Sequence, residues 1–267
     1  MQHRIIPFLF QRSVFNAIWA VLTAVMAIPA HADLAQTIDK IRPSVVGIAT
    51  FQRTRSPAVA VLGTGFAVGD GQYIITNAHV TPVALNLEKK EALIVLVGRG
   101  REVQSREAEE IAQDLDHDLA LLKIKGAPLP PLVMGDASLV REGQEFAFTG
   151  FPIGAILGLF PVTHRAMVSA LTPIVIPSQA SRELDVKSVK RLSNSFDVFQ
   201  LDATAYPGNS GSPLYNQMTG TVIGVLNMVF VKETKERVLS DPSGIAYAVP
   251  VNYISALMSR AGISSKR

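Results

Sequence analysis

The chain of 267 residues contains no cysteine. This absence excludes disulfide bonds, and it also excludes zinc sites that are built from thiolates. A chain of this length can bury a hydrophobic core without covalent cross-links. We therefore expect packing and hydrogen bonds alone to hold the fold together.

The sequence also lacks a strong excess of either charge. It has 25 lysines and arginines against 22 acidic residues, a formal net charge of +3. Arg4 and Arg12 are the only charged residues before Asp33, so the net charge of the rest is +1. Binding of nucleic acid needs a basic stripe or patch, and we expect no nucleic-acid partner. Internal repeats of 20–50 residues and low-complexity tracts are missing too, which excludes solenoids and arrays.

The first 32 residues have the pattern of a secretory signal. Arg4 and Arg12 precede an apolar stretch over 14–28, and Ala30 and Ala32 follow as the small residues of an A-x-A cleavage site. We therefore predict a signal peptide over 1–32, cleavage after Ala32, and an exported, periplasmic protein. The alternative is an uncleaved signal, because the same stretch is just long enough to anchor the chain in a tilted or thinned bilayer.

Most of the remaining sequence has the pattern of short strands. Ten segments are rich in β-branched residues and bounded by Gly, Pro or charges, and they predict strands over 44–50, 63–68, 73–80, 92–97, 119–124, 144–151, 164–171, 198–203, 221–230 and 245–250. Helices are predicted only at the ends, over 33–41 and 252–260, the second with Asn252 as its N-cap.

A proline-rich stretch over 125–143 separates the strand segments into two halves of similar size. The fold class is therefore predicted to be all-β, with short N- and C-terminal helices. The predicted units are the signal peptide (1–32), the first helix with the first β half (33–130), a linker (131–143), the second β half (144–250) and the C-terminal helix and tail (251–267).

The stretch AYPGNSGSPLYN, residues 205–216, places Ser210 between Asn209 and Gly211. These residue types favour tight turns, so a surface turn is one interpretation. The other is a nucleophile on a loop whose N–H groups converge on one point. A serine nucleophile needs a base, and the base needs a third residue that orients it.

Three histidines remain after the predicted signal, and His79 is the strongest candidate for the base. It ends the predicted strand over 73–80, where a side chain can leave the sheet and reach a cleft. His117 and Asp118 are neighbours that point to opposite faces of a strand, so they are poor partners. His164 has the pattern of an ordinary surface residue. Asp118 directly precedes the apolar run over 119–124, which suits a partly buried orienting carboxylate.

Nine motifs carry a resemblance to a known family. In order along residues 34–255 they are PSVVGI, GTGFAV, YIITNAHV, GREV with DLDHDLALLKI, GQEFAFTGFPIG, MVSAL, LDATAYPGNSGSPL, TVIGVLN and GIAYAVPVN. With them the sequence resembles the trypsin-like serine proteases of the bacterial HtrA (Deg) type. The resemblance implies the chymotrypsin fold, two antiparallel six-stranded β-barrels with the active site in the cleft between them.

The resemblance also implies roles for individual residues. His79 would be the general base, Asp118 its orienter and Ser210 the nucleophile. The oxyanion hole would come from the N–H groups of Gly208 and Ser210, with Asn209 shaping the loop. These roles imply a serine endopeptidase that acts through an acyl-enzyme on unfolded or exposed segments of proteins, with no metal and no organic cofactor.

The sequence departs from the family at several points. Ser212 stands where the family has a second glycine after the nucleophile. We expect no PDZ domain after the protease motifs, and therefore no recruitment of substrate or control of oligomers by such domains. Assembly of the chain into a homo-oligomer is an alternative to a monomer. Asn209 replaces the aspartate that pairs with a new N-terminus in digestive enzymes, so activation by N-terminal cleavage is not expected.

Specificity is predicted from the residues that would line the substrate pocket, namely Thr204, Val225, Leu226, Asn227 and Met228. They predict cleavage after small or medium aliphatic residues. The alternative function is a non-hydrolysing peptide-binding or chaperone-like module on the same fold, which would hold an extended peptide by strand addition. An esterase of the α/β-hydrolase type is disfavoured, because in that fold the nucleophile precedes the acid and the histidine.

Overall fold

Twelve strands dominate the part of the chain that the computed structural model describes, residues 33–152, 158–174, 196–227 and 244–264. The strands of the first half are β1 (Val45–Phe51), β2 (Val59–Val68), β3 (Tyr73–Thr76), β4 (Ala92–Arg99), β5 (Glu102–Asp114) and β6 (Leu119–Ile124). Those of the second half are β7 (Glu145–Gly150), β8 (Val162–Ile174), β9 (Phe196–Asp202), β10 (Pro213–Asn216), β11 (Val222–Asn227) and β12 (Ile245–Pro250).

Each half closes into an antiparallel barrel. The first has the strand order β1-β2-β3-β6-β5-β4 and the second β10-β11-β12-β9-β8-β7. Closure leaves no unpaired strand edge in either sheet. The predicted all-β fold with two six-stranded barrels is therefore confirmed.

The apolar runs of several strands are continuous because both faces of these strands are buried. In β6, Leu122 and Ile124 point into the core of the first barrel, whereas Leu119 and Leu121 point into a core shared by both barrels. The second barrel has its own interior, which includes Phe148. The shared core also takes in residues of the second barrel, such as Ala147 and Val225, and so joins the two barrels.

Two strands were not predicted from the sequence. In β5 most of the thirteen residues are polar or charged, and most side chains are exposed. It is nevertheless a strand because β4 and β6 bond to it on either side. The other, β10, has only four residues and begins at Pro213. Tertiary pairing thus overrides weak local propensity in both cases.

Two α-helices flank the barrels in the described part, α1 (Leu34–Ile41) and α2 (Val251–Arg260). The prediction of Asn252 as N-cap is wrong, because α2 begins one residue earlier with Pro250 in the cap position and without a side-chain cap. Three short 3₁₀ turns lie at Arg42–Ser44, Ala78–Val80 and Ala137–Leu139.

No helix among the described residues has the length and apolarity that crossing a membrane requires. The predicted signal over 1–32 lies outside the described residues.

Candidate active site

His79 lies in a 3₁₀ turn that follows β3. The strand ends at Thr76, so the prediction that it continues to Val80 is wrong. The chain leaves the sheet because Asn77 and Ala78 bond to one atom instead, the backbone oxygen of Asp118. Asn77 Nδ2 donates to it at 3.0 Å and the Ala78 N–H at 3.1 Å.

The carboxylate of Asp118 lies beside the imidazole of His79. Asp118 Oδ2 is 2.5 Å from His79 Nδ1, and Asp118 Oδ1 accepts the backbone N–H of His79 at 2.8 Å. Asp118 precedes β6 with a left-handed φ of 52° and is 5% exposed. A carboxylate at Nδ1 favours the tautomer that carries its proton there, which leaves Nε2 as the acceptor. Such a histidine can take up a proton at Nε2.

A third donor reaches this carboxylate from the second barrel. Asn227, at the end of β11, donates from Nδ2 to Asp118 Oδ2 at 2.7 Å. The Asp118 carboxylate therefore has three nitrogen partners, which suits a buried anion. Sequence reasoning placed Asn227 in the substrate pocket and missed this contact. The one signal for it was a single polar residue directly after the apolar run over 222–226.

The loop around Ser210 uses its N–H groups unevenly. The N–H of Asn209 donates to the Tyr206 carbonyl at 2.9 Å, that of Gly211 to the Leu226 carbonyl at 3.0 Å, and that of Ser212 to the Asn209 carbonyl at 3.0 Å. The N–H groups of Gly208 and Ser210 donate to no partner among the described residues. Gly208 has a φ of 100°, a conformation that favours glycine. The two N–H groups left over are those predicted for the oxyanion hole.

Close packing brings the turn with His79 and the loop with Ser210 together. A Cβ added at Gly63 would lie 2.8 Å from the Val80 side chain and 3.0 Å from the backbone oxygen of Ser210. No hydrogen bond joins Ser210 to His79 among the bonds of the described residues. Nucleophile and base commonly close this bond only in the complex with substrate.

Gly211 is required where the loop meets the first barrel. Its φ is 87°, and an added Cβ would lie only 1.9 Å from the Thr64 carbonyl oxygen and 2.6 Å from Thr76 Oγ1. Any side chain at residue 211 would push the loop away from β2. The glycine after Ser210 thus sets how near the loop approaches the first barrel.

Two polar side chains of the loop are buried without a partner. Asn209 and Ser212 are both 0% exposed. The Asn209 amide and Ser212 Oγ make no hydrogen bond among the described residues. Ser212 Oγ occupies the space that the missing side chain of Gly150 leaves, since a Cβ there would lie 2.0 Å from it. The extra side chain of Ser212 is therefore accommodated between the loop and β7.

The predicted pocket residues have other surroundings in the structure. Val225, Leu226 and Asn227 are each 0% exposed; the first two belong to hydrophobic cores and the third contacts Asp118. The role of these residues in a substrate pocket stays a prediction. Thr204 is half-buried, and Met228 lies outside the described residues.

The other two histidines lie elsewhere. His117 Nδ1 is 2.9 Å from Asp114 Oδ2, and its ring stacks on Tyr253 with 3.9 Å between the ring centroids. His164 stacks on Phe148, and burial lowers the pKa of His164. Neither contacts Asp118 among the described residues. Within those residues no group of three His, Asp or Glu side chains could hold a metal ion.

Comparison with known proteins finds a matching protein family and similar proteins. The model of the trypsin-like peptidase domain matches residues 63–225. A probable periplasmic serine endoprotease, DegP-like, from Halomonas elongata is 30% identical over 72% of this chain and 33% of its own. The serine protease HTR4 of Bos taurus is 30% identical over 83% of this chain and 40% of its own. The chain thus spans about a third to two fifths of the length of these relatives.

Solved structures share the fold. The HtrA-type protease AlgW with a tripeptide superimposes with a TM-score of 0.60 at 24% identity, over 85% of this chain and 62% of its own. The active form of the Rv3671c protease from M. tuberculosis superimposes with a TM-score of 0.62 at 22% identity, over 86% of each chain.

Proposed function

Because this chain belongs to the trypsin-like peptidase family, we propose that it is a serine endopeptidase of the HtrA type whose triad is His79, Asp118 and Ser210. The observation that carries the proposal is the 2.5 Å contact between Asp118 Oδ2 and His79 Nδ1, next to a loop in which two N–H groups have no partner among the described residues. We further propose that the protein is exported to the periplasm, as the signal pattern over 1–32 predicts and the name of the Halomonas relative suggests.

The proposed reaction begins with attack of Ser210 Oγ on the carbonyl carbon of a peptide bond. The Ser210 proton passes to His79 Nε2, and the negative charge develops on the carbonyl oxygen. The N–H groups of Gly208 and Ser210 would donate to that oxygen. Losing one such donor costs about 2.7–4 kcal/mol in enzymes of this kind.

The tetrahedral species then collapses. The C–N bond breaks, the amine leaves with the proton from His79, and the acyl group stays on Ser210 as an ester. Water attacks this acyl-enzyme and gives a proton to His79, and Ser210 recovers the proton when the acid departs. Asp118 stabilises the charged imidazole in both halves of the reaction.

The substrates that we propose are unfolded or exposed segments of proteins. A site between two barrels accepts an extended chain more readily than a folded surface, because the scissile bond must reach Ser210. The two relatives are named a probable periplasmic serine endoprotease and a serine protease, in line with protein substrates.

The test compares Ser210→Ala with Ser212→Ala, a serine two residues away that faces Gly150. Turnover of unfolded casein should fall by about 10⁶ in the first variant, because members of a triad act as a unit. The second should lose tenfold at most. A fluorophosphonate probe should label wild type and Ser212→Ala but not Ser210→Ala, with circular dichroism as the check on folding.

Retained turnover in Ser210→Ala would refute the assignment of the nucleophile. Casein that binds to the wild type without being cleaved or labelling it would favour the peptide-binding module instead.

A further inference from the structure

Thr64 links the first barrel to the loop of Ser210. It lies in β2, is 0% exposed, and bonds to the loop twice. Its backbone N–H donates to the Ser210 carbonyl at 2.9 Å, and its Oγ1 donates to the Gly208 carbonyl at 2.7 Å. Thr64 Oγ1 also accepts the N–H of Phe151 at 3.0 Å, so the hydroxyl acts both as a donor and as an acceptor.

The side-chain bond restrains the peptide unit between Gly208 and Asn209. The oxygen of that unit is held by Thr64 Oγ1 and its N–H by the Tyr206 carbonyl. The backbone of Gly208 has more freedom to rotate than that of other residue types, since glycine has no Cβ. Restraining the following peptide unit limits that rotation, and with it the direction of the Gly208 N–H.

No other side chain does this among the described residues. The side-chain polar atoms of Asn209 and Ser212 have no partner within the described ranges, although both side chains lie buried in the same loop. In the described residues the hydroxyl of Thr64 provides the one side-chain bond to the backbone of residues 206–212. Among the described residues the loop is therefore held by backbone bonds and by this one side chain of the opposite barrel.

We propose that Thr64 is a positioning residue for the oxyanion hole, acting through the Gly208 carbonyl. The inference rests on the proposed function, because it presumes that the N–H groups of Gly208 and Ser210 stabilise the transition state. Interactions that are present only in the transition state raise kcat and leave KM nearly unchanged.

The experiment compares three variants of the mature chain. Thr64→Val keeps the branched shape and removes the hydroxyl, whereas Thr64→Ser keeps the hydroxyl. Thr50→Val is the matched control. Thr50 is also a buried threonine of the first barrel, 3% exposed, and its Oγ1 accepts from the guanidinium of Arg55 at 2.9 Å, away from the loop. Each variant is measured for thermal unfolding, for kcat and KM on a peptide, and for inhibition by a peptide boronic acid.

We expect Thr64→Val to lower kcat about tenfold with KM within twofold, the size of one net hydrogen bond. Its inhibition constant for the boronic acid, which forms a tetrahedral adduct, should rise by a similar factor. Thr64→Ser should recover kcat to within about threefold of wild type. Thr50→Val should keep kcat within twofold, whatever its loss of thermal stability.

An unchanged kcat in Thr64→Val would overturn the proposal. So would equal losses of kcat in Thr64→Val and Thr50→Val, since the effect would then be one of stability. Failure of the proposed function looks different, because Ser210→Ala would then keep its turnover and the fluorophosphonate probe would not label the wild type.

Discussion

The two barrels hold their parts of the candidate site in different ways. In the first barrel the Asp118 carboxylate has three nitrogen partners, and two more donors reach its backbone oxygen. In the second barrel the loop of Ser210 is held by backbone bonds and one threonine hydroxyl, while the buried polar atoms of Asn209 and Ser212 have no partner in the described part of the chain. The acid–base pair is thus held largely through side chains, whereas the nucleophile loop is held through its backbone and one side chain. Substitutions of supporting side chains should therefore perturb the acid–base pair more than they perturb the loop.

Replacing the Asp118 carboxylate, at the centre of the first-barrel network, should have the largest effect on kcat. Asp118→Asn should lower kcat by about 10⁴, because an amide at this place favours the wrong tautomer of the histidine. Peptide turnover measures it, with Asp116→Asn as the control, since Asp116 is exposed two residues away. A loss of less than tenfold in Asp118→Asn would mean that His79 does not depend on this carboxylate.

Removing the donor that the second barrel contributes should have an intermediate effect. Asn227→Ala leaves Asp118 Oδ2 with His79 alone, and a hydrogen bond to a charged group contributes about 1.5–3 kcal/mol, so kcat should fall about 10- to 150-fold. Asn227→Ser, which keeps a donor, should recover part of this.

The substrate dependence of Asn227→Ala decides between two roles. A positioning role lowers kcat by the same factor on peptides that differ in the residue before the cleaved bond. A changed preference among those peptides would return Asn227 to the predicted substrate pocket.

The smallest effect is expected where the first barrel meets α2. Burial alone would raise the pKa of Asp114, but hydrogen bonds from Arg260 and His117 hold the pKa of this carboxyl below its usual value. A lowered pKa stabilises the folded chain above the unfolded-state pKa, and this contribution is lost as the pH falls through the folded-state value. Arg260→Met should therefore cost about 1 kcal/mol at pH 7, and less below about pH 4.

Urea unfolding at pH 7 and pH 3 measures this difference, and the kcat of Arg260→Met should equal that of the wild type. Arg42→Met is the control, because Arg42 pairs at 3.6 Å with the exposed Asp39. A loss for Arg260→Met that is as large in acid as at neutral pH would mean that the ion pair with Asp114 contributes nothing.

Local patterns predicted the parts of the fold that hydrophobic burial determines. All ten strand segments chosen for their apolar runs contain strands, and β5 was missed because charged residues form it. The turn of His79 was read as a strand, since nothing local shows that Asn77 bonds to the Asp118 carbonyl. Motifs named the triad, which remains a prediction.

Contacts between distant parts of the chain were not predictable in the same way. Asn227 and Asp118 are 109 residues apart, and Thr64 and Gly208 are 144 apart. Only the docked barrels show that these side chains meet. The roles of Asn227 and Thr64 thus emerge from the tertiary structure.

The same long separations in sequence have a consequence for a chain that is still folding. A chain of which only the first barrel has folded possesses the base and its carboxylate but no serine, and Thr64 then has no loop to hold. The proposed catalytic centre is complete only when both barrels have folded and packed together, so a partly folded chain lacks the proposed activity.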